Sequence, residues 1–494
     1  MRKVINAQMV FGQTDISAIK IDSKSRDDIP RLLRGLQHIY TQPELRERVF
    51  AILADMRPVQ ADGKTKVSAE KGRPGMEFWK ILVLGVLRLG LNADYDRIHN
   101  LANYHLAIRE MLGHGGWAEN TDAPYHLQTI KDNLSLFTPE ILDRINQEVV
   151  QAGHVLLKKR PDEGLAGRCD SFVVETQVHY PTDINLLLDA VRKTIEICSR
   201  AADAQGWTDW RQWRYLQHSF KKSYRILQKI KHSTAQDQQK RAAHEERMLE
   251  AYGAYLVLAE QHVVRATDTA NALKVEGLSD TAQQIEGYLG HARRQIDQIH
   301  RRVLQGEKIP HSEKVFSIFE PHTEWISKGK AGVPVELGLR VCIVEDQHRF
   351  ILHHAVMEQT TDDQIAVLMV KEAQARFSGV YSMSFDKGFH SPANQAALRE
   401  MLPMVVLPKK GRRSIDEKAR ESAPEFVHLR HQHSAVESAI NALEQHGLDI
   451  CPDHGISGFK RYVALAVLAR NIHRLGAVLI TREAEKRCIY RKSA

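Results

Sequence analysis

A long helical interruption divides the strand-forming segments of this chain. From about Asn185 to Gln305 runs a long helical stretch with little glycine or proline, and on either side of it lie short segments rich in β-branched and aromatic residues. On the near side is Asp170-Ser171-Phe172-Val173-Val174-Glu175-Thr176-Gln177-Val178, which reads as a strand. Beyond Pro310 the pattern predicts strands over 313–319, 337–345 and 349–356, a helix over 362–376, and strands over 379–385 and 403–407. Helices then follow over about 434–446 and 459–475. With 185–310 set aside, strands and helices alternate, which predicts a mixed sheet covered by helices with a ligand site near the carboxyl ends of the strands.

Apart from one extra strand, that order is the order of an RNase H-like α/β domain, here with a helical insertion after the first strand. An all-helical N-terminal region precedes it. Helices are predicted over 31–56, 96–113 and 138–157, the last opening on Thr138-Pro139-Glu140, a cap followed by proline. Another runs from Phe78-Trp79-Lys80 through Leu89, behind a Gly72-Arg73-Pro74 loop with a basic tip. Short helices joined by tight turns suit a helix-turn-helix-like DNA-binding unit, and equally a generic helical domain. The expected division is 1–160 for the N-terminal DNA-binding region, 165–184 with 311–480 for the catalytic core, 185–310 for the insertion and 481–494 for a basic C-terminal tail.

Composition narrows the class. The 494 residues suffice for two to four domains, and their 43% hydrophobic and 26% charged content is ordinary for globular chains. The apolar runs Ile81–Leu87 and Val463–Ala469 are each ended by an arginine, and the start lacks the apolar core of a signal peptide. Five singly placed cysteines (Cys169, Cys198, Cys342, Cys451, Cys488) make neither a zinc ribbon nor a disulfide framework. These features point to a cytoplasmic protein without a membrane partner. A net charge of +8 permits a polyanionic partner without demanding one.

Three acidic residues stand out by position. Asp170 opens the first strand, Asp386 ends Val380-Tyr381-Ser382-Met383-Ser384-Phe385, and Glu437 lies on a stretch with helical apolar spacing. Phosphodiester chemistry needs hard oxygen ligands for two Mg²⁺ ions about 3.5–4 Å apart, and three carboxylates from separate elements suffice. An acid at a strand end is also a common turn former or helix cap. Among competitors, Glu175 points to the opposite face from Asp170 on a regular strand, Asp183 can cap the inserted helix, and Glu336, Asp362 and Asp363 read as solvated element ends. Glu437, Asn441 and Glu444 share one helix face.

The stretch Asp170 to Asp183 resembles the first-strand motif of DDE transposases of bacterial insertion sequences, and more narrowly the ISNCY family and its relatives. Ser384-Phe385-Asp386-Lys387-Gly388-Phe389-His390-Ser391 is similar to their second motif, and His433 to Asp449 to their third, continuing into Phe459 to Gly476. The resemblance covers most of 165–480, and Gly72-Arg73-Pro74 with its following helix extends it. It implies that Asp170, Asp386 and Glu437 ligate two Mg²⁺ ions, with Mn²⁺ as a substitute. Water would first cut the element's end, and the freed 3′-hydroxyl would then attack target DNA in line, without a covalent protein–DNA intermediate. The implied partners are double-stranded DNA, both terminal repeats and target, and further copies of the chain that synapse two ends. Related families carry Tyr, Arg and Lys seven before, four before and seven after the glutamate; here those places hold Arg430, His433 and Glu444, and Lys460 or Arg461 can supply charge later.

Other DNA-contacting candidates are Arg73, Lys387, Asn441 and the loop cluster Lys409, Lys410, Arg412 and Arg413. The run Arg211, Arg214, Lys221, Lys222, Arg225, Lys229 and Lys231, with Trp207, Trp210 and Trp213, can be a phosphate-tracking surface or a solvated helix face over a core. The paired histidines His353-His354 and those at His431 and His433 lack metal-site spacing and read as surface or DNA-facing groups. Two rival readings stand beside the transposase: a domesticated DNA-binding protein that no longer cuts, and a metal-dependent nuclease without strand transfer.

Overall fold

The computed structural model describes residues 2–5, 13–57, 75–114, 125–158, 163–232, 238–327 and 334–493. Its elements are, in chain order, α1 (Ile29–Thr41), α2 (Pro43–Ala54), α3 (Phe78–Gly90), α4 (Tyr95–Tyr104), α5 (Leu106–Met111), α6 (Leu127–Leu134), α7 (Pro139–Leu157) and β1 (Leu165–Thr176). The chain continues through α8 (Asp183–Ala204), α9 (Trp213–His232), α10 (Gln238–Val275) and α11 (Ser279–Ile299). It returns to strands at β2 (Glu324–Ser327), β3 (Val335–Asp346) and β4 (Ile351–Met357), followed by α12 (Asp362–Arg376), β5 (Val380–Phe385), α13 (Pro392–Met401) and β6 (Met404–Val406). The last elements are α14 (Ile415–Glu421), α15 (Pro424–His433), α16 (Ala435–Leu443), β7 (Ile450–Cys451) and α17 (Gly455–Ser493). They divide into two compact units, residues 1–177 with 326–494, and residues 178–325.

The first unit is mixed α/β around a mixed sheet of order β2-β3-β1-β5-β6, with β4 also beside β3 and β7 beside β1. β1 runs antiparallel to β3, from Gly167 opposite Asp346 to Glu175 opposite Gly338, and parallel to β5 on its other side. β4 is antiparallel to β3, and β6 is parallel to β5. Central strands covered on both faces need near-continuous apolar runs. β3 supplies one in Leu339, Val341, Cys342, Ile343 and Val344, all fully buried.

Helix α17 is the spine of this unit. It packs against α1, α3, α7 and β4, and Phe459, Val463, Val467, Leu468, Ala469, Ile472 and Leu475 are completely buried along it. By length and composition alone it is apolar enough to cross a membrane, and 78% of its apolar window is buried inside the protein. Its contact with α1 depends on glycine: a Cβ at Gly476 would fall 1.8 Å from the Arg31 carbonyl oxygen, and one at Gly35 would fall 2.4 Å from that of Ile472. The N-terminal helices share one hydrophobic core with the sheet, so residue 160 marks no boundary between compact units. Within α3, Arg88 is buried and bonds Asp453 at 2.8 Å, with its guanidinium 4.1 Å from the Tyr95 ring centre.

The second unit packs α8 to α11 around a separate core. Phe220 stacks on Tyr255 with ring centroids 4.7 Å apart and planes 12° from parallel. Trp210 is buried, donates its indole N–H to Thr269 Oγ1 at 2.9 Å and lies 4.6 Å beneath the Arg265 guanidinium.

Several sequence expectations change. The helix over 31–56 is two helices, because Pro43 cannot donate within a continuous helix and instead starts α2. The one over 96–113 is split at His105, which caps α5. No strand forms over 313–319: Ser317 Oγ accepts from the amides of Phe319 and Glu320 and closes a local turn, and the strand falls at β2 instead. The first strand begins at Leu165, since 165–169 pair with β5, so Asp170 is internal to β1 and does not open it. The predicted helix over 459–475 extends to Ser493, so the residues assigned to a basic tail continue as helix.

Candidate active site

Parallel pairing aligns two of the three predicted acids. Cys169 and Phe385 are the last paired residues of β1 and β5, so Asp170 and Asp386 follow them side by side. Both Cys169 and Phe385 are buried in the core. Asp386 keeps an extended backbone, φ −74° and ψ 166°, so alternation sends the two carboxylates to the face opposite those core residues. The turn after Asp386, Lys387–Phe389, is pinned by Phe389, whose ring lies 5.5 Å from that of Phe385.

Glu437 arrives from α16. That helix buries Val436, Ala439, Ile440 and Leu443 and packs against β1, which leaves Glu437 and Asn441 exposed on its other side. Glu444 follows α16 with a helical backbone, φ −61° and ψ −45°, and opens a π-helical turn.

The electrostatics join these groups. Burial pushes the Asp170 carboxyl up to about 6, opposed by the Ser171 amide, which donates to its Oδ1 at 2.8 Å. The negative charges of Asp386, Asp362 and Glu437 push it further in the same direction. None of these four carboxylates forms an ion pair with a Lys, Arg or His among the described residues.

Asp362 is the member that sequence reasoning left at a solvated helix end. It is the first residue of α12, where the Thr361–Gln364 capping box fixes the helix start, and its Oδ1 accepts the Ser171 hydroxyl at 2.6 Å. A Cβ at Gly388 would lie 3.1 Å from its Oδ2, which places it beside the Asp386 turn as well. The Thr-x-x-Gln box marks the helix start in the sequence, but the contact with Ser171 has no local sequence signal.

The donor chemistry of this group, carboxylate oxygens without a protein counter-charge, fits a hard divalent cation. Among the described residues no group of three or more His, Cys, Asp or Glu is closed into a ready ligand set.

The basic candidates divide. Lys387, Lys410, Arg412 and Arg430 are exposed and carry no ion pair among the described residues. Lys409 is held by Glu417 at 2.7 Å, Arg413 by Glu421 at 3.1 Å, Lys460 by Glu358 at 2.5 Å and Arg461 by Asp453 at 3.2 Å. Arg73, with Gly72 and Pro74, lies outside the described residues.

The histidine expectation is corrected in part. His433 is half-buried and bonds Ser384 Oγ through Nδ1 at 3.0 Å, and burial lowers it to about 4, so it is neutral near pH 7. It ties the end of α15 to β5 two residues before Asp386 instead of presenting charge to solvent. His353 is buried and His354 largely so, and both are held below the ordinary histidine range by burial, His353 at about 3. Asp183 does not cap α8; Thr182 does, accepting from the Asn185 amide, and Asp183 pairs with Arg302 at 2.8 Å. Glu336 lies within β3, not ahead of it.

Compared with known proteins, the chain matches no family model and has no significant match among curated proteins or solved structures.

Proposed function

We propose that this chain is a DNA transposase with an RNase H-like core, and that Asp170, Asp386 and Glu437 form its catalytic carboxylate set. The observation that carries the reading is the uncompensated acidic group formed midway along β1 and just past the end of β5. Asp170 and Asp386 stand side by side, Glu437 reaches them from a helix packed on β1, and among the described residues no cation pairs with them. The order β4-β3-β1-β5-β6, antiparallel across β4, β3 and β1 and parallel across β1, β5 and β6, supports the RNase H-like part.

In this reading Asp170, Asp386 and Glu437 hold Mg²⁺, or Mn²⁺ in its place, and Asp362 lends a further oxygen beside them. The bound ions would supply an activated attacking oxygen and charge stabilisation for the leaving one. The protein's own part is positioning and electrostatics. The β1–β5 register fixes the spacing of Asp170 and Asp386, and the Ser171 hydroxyl and amide hold Asp362 and Asp170 in place. Lys387, Lys410, Arg412 and Arg430 are exposed cations available to phosphates of the strand being cut and joined. The partners are insertion-sequence terminal repeats and target duplex, and two ends held together require at least a dimer on DNA. Such an enzyme works in the bacterial cytoplasm, at the nucleoid.

The test is cleavage and joining of the DNA ends that flank this reading frame in Mg²⁺. Wild type is compared with Asp170→Ala, Asp386→Ala and Glu437→Ala, with DNA binding followed in parallel. The reading expects each variant to bind and none to cut. Variants that cut as well as wild type would overturn the carboxylate assignment.

A further inference from the structure

Helix α9 contains no Asp or Glu between Trp213 and His232. Its inward side is Leu216, Phe220, Tyr224 and Leu227, anchored by the Phe220–Tyr255 stack and by the Tyr224 hydroxyl, which donates to Asn185 Oδ1 at 2.6 Å. On the opposite side Arg214, Lys221, Lys222, Arg225 and Lys229 are all exposed. At 3.6 residues per turn they fall in one stripe about 100° wide and roughly 22 Å long.

None of the five forms an ion pair or hydrogen bond among the described residues, although Arg214 lies 5.3 Å from the Trp213 ring. The neighbouring helix behaves differently: on α8, Arg192 pairs with Asp189, and Lys193 and Arg200 both pair with Glu196. Lys221 and Arg225, and Arg225 and Lys229, are like charges one turn apart, an arrangement that destabilises a helix in isolation. A polyanion relieves that repulsion. A row of point charges dominated by lysine suits a phosphate backbone better than a protein partner, whose interface centre is depleted of lysine.

We propose that the outer face of α9 is a sequence-independent docking surface for the phosphate backbone of duplex DNA. It rests on the transposase reading only in taking DNA as the polyanion.

The test uses the full chain, a fluorescent duplex of arbitrary sequence and a salt titration read by anisotropy. The variant is Lys221→Gln/Arg225→Gln/Lys229→Gln. Its control, Lys240→Gln/Arg247→Gln/Lys274→Gln, removes the same charge from exposed positions of α10. Each lost phosphate contact lowers the slope of log K against log salt by about 0.9, so the α9 variant loses about 2.7 and binds on the order of 100-fold more weakly near 0.1 M salt. The control keeps the wild-type slope, and both variants still unfold in a cooperative thermal transition. A charge reversal, Arg225→Glu, weakens binding in the same direction.

Four results would overturn the proposal: an α9 variant with the wild-type slope, equal losses in both triples, a wild type that binds no duplex, or tighter binding of an equal-length RNA duplex or acidic peptide. Cutting and joining by wild type alongside an α9 variant that binds normally would sink this inference and leave the transposase reading standing. Binding that depends on α9 in a protein that never cuts would do the reverse.

Discussion

Replacing Asp170 with asparagine should stabilise the metal-free protein at neutral pH, although it removes a residue from the proposed active site. Asp170 sits largely buried beside three other acids, and its carboxyl rises from 3.8 to about 6. Between these values the folded protein keeps a proton that the unfolded chain has already lost, so stability falls as pH rises through that window. Above about pH 6 the folded state bears the whole cost of the charge, which corresponds to roughly 3 kcal/mol. Asp170→Asn keeps the shape without the charge. In EDTA, thermal unfolding of the variant should therefore match wild type near pH 3.5 and exceed it by a few degrees near pH 8. A difference that is the same at both pH values, or a variant less stable at the higher one, would refute the argument that burial and like charges strain this carboxylate.

Three further outcomes follow from the same structure. On the proposed metal reading, Mg²⁺ should raise the melting temperature of wild type by binding the folded acidic group, and should raise that of Asp170→Asn much less; equal shifts would place the binding elsewhere. Arg88→Met should cost about 3 kcal/mol in denaturant unfolding, since it leaves Asp453 buried with Arg461 as its remaining cation, and a loss near zero would show that the pair contributes little. Gly476→Ala should cost about 3 kcal/mol or more by driving a methyl into the Arg31 carbonyl, whereas Gly253→Ala, with open space around it, should gain about 1 kcal/mol; similar effects at the two sites would contradict the close α1–α17 approach.

What the sequence made legible was local. The strand ending at Asp386, the helix from Asp362 and the proline-opened helix from Pro139 follow from patterns within a few residues, and the structure has them within one residue of expectation. What it hid depends on partners distant in the chain. Leu165–Cys169 is strand because β5 pairs along it and β3 pairs from Gly167 onward, and that pairing moved Asp170 from the start of β1 to its middle. Asp362 looked like a helix-end acid, and the Ser171 hydroxyl, 191 residues away, and the Gly388 turn bring it to the group. His353 and His354 carry no sequence sign of burial, and their place follows from the pairing of β4 with β3. The segment over 313–319 has strand-like residues, but the Ser317 hydroxyl captures the following amides first.

In the proposed function the Asp170–Asp386–Glu437 group drives cleavage and joining of DNA. The most direct measurement is the yield of joined product from pre-cut element ends carrying a free 3′-hydroxyl, with target duplex and Mg²⁺. Wild type should join them, and Asp170→Ala, Asp386→Ala and Glu437→Ala should bind the same ends without joining. Joining by all three variants at the wild-type rate would contradict the claim, and a wild type that only cuts would make the protein a nuclease.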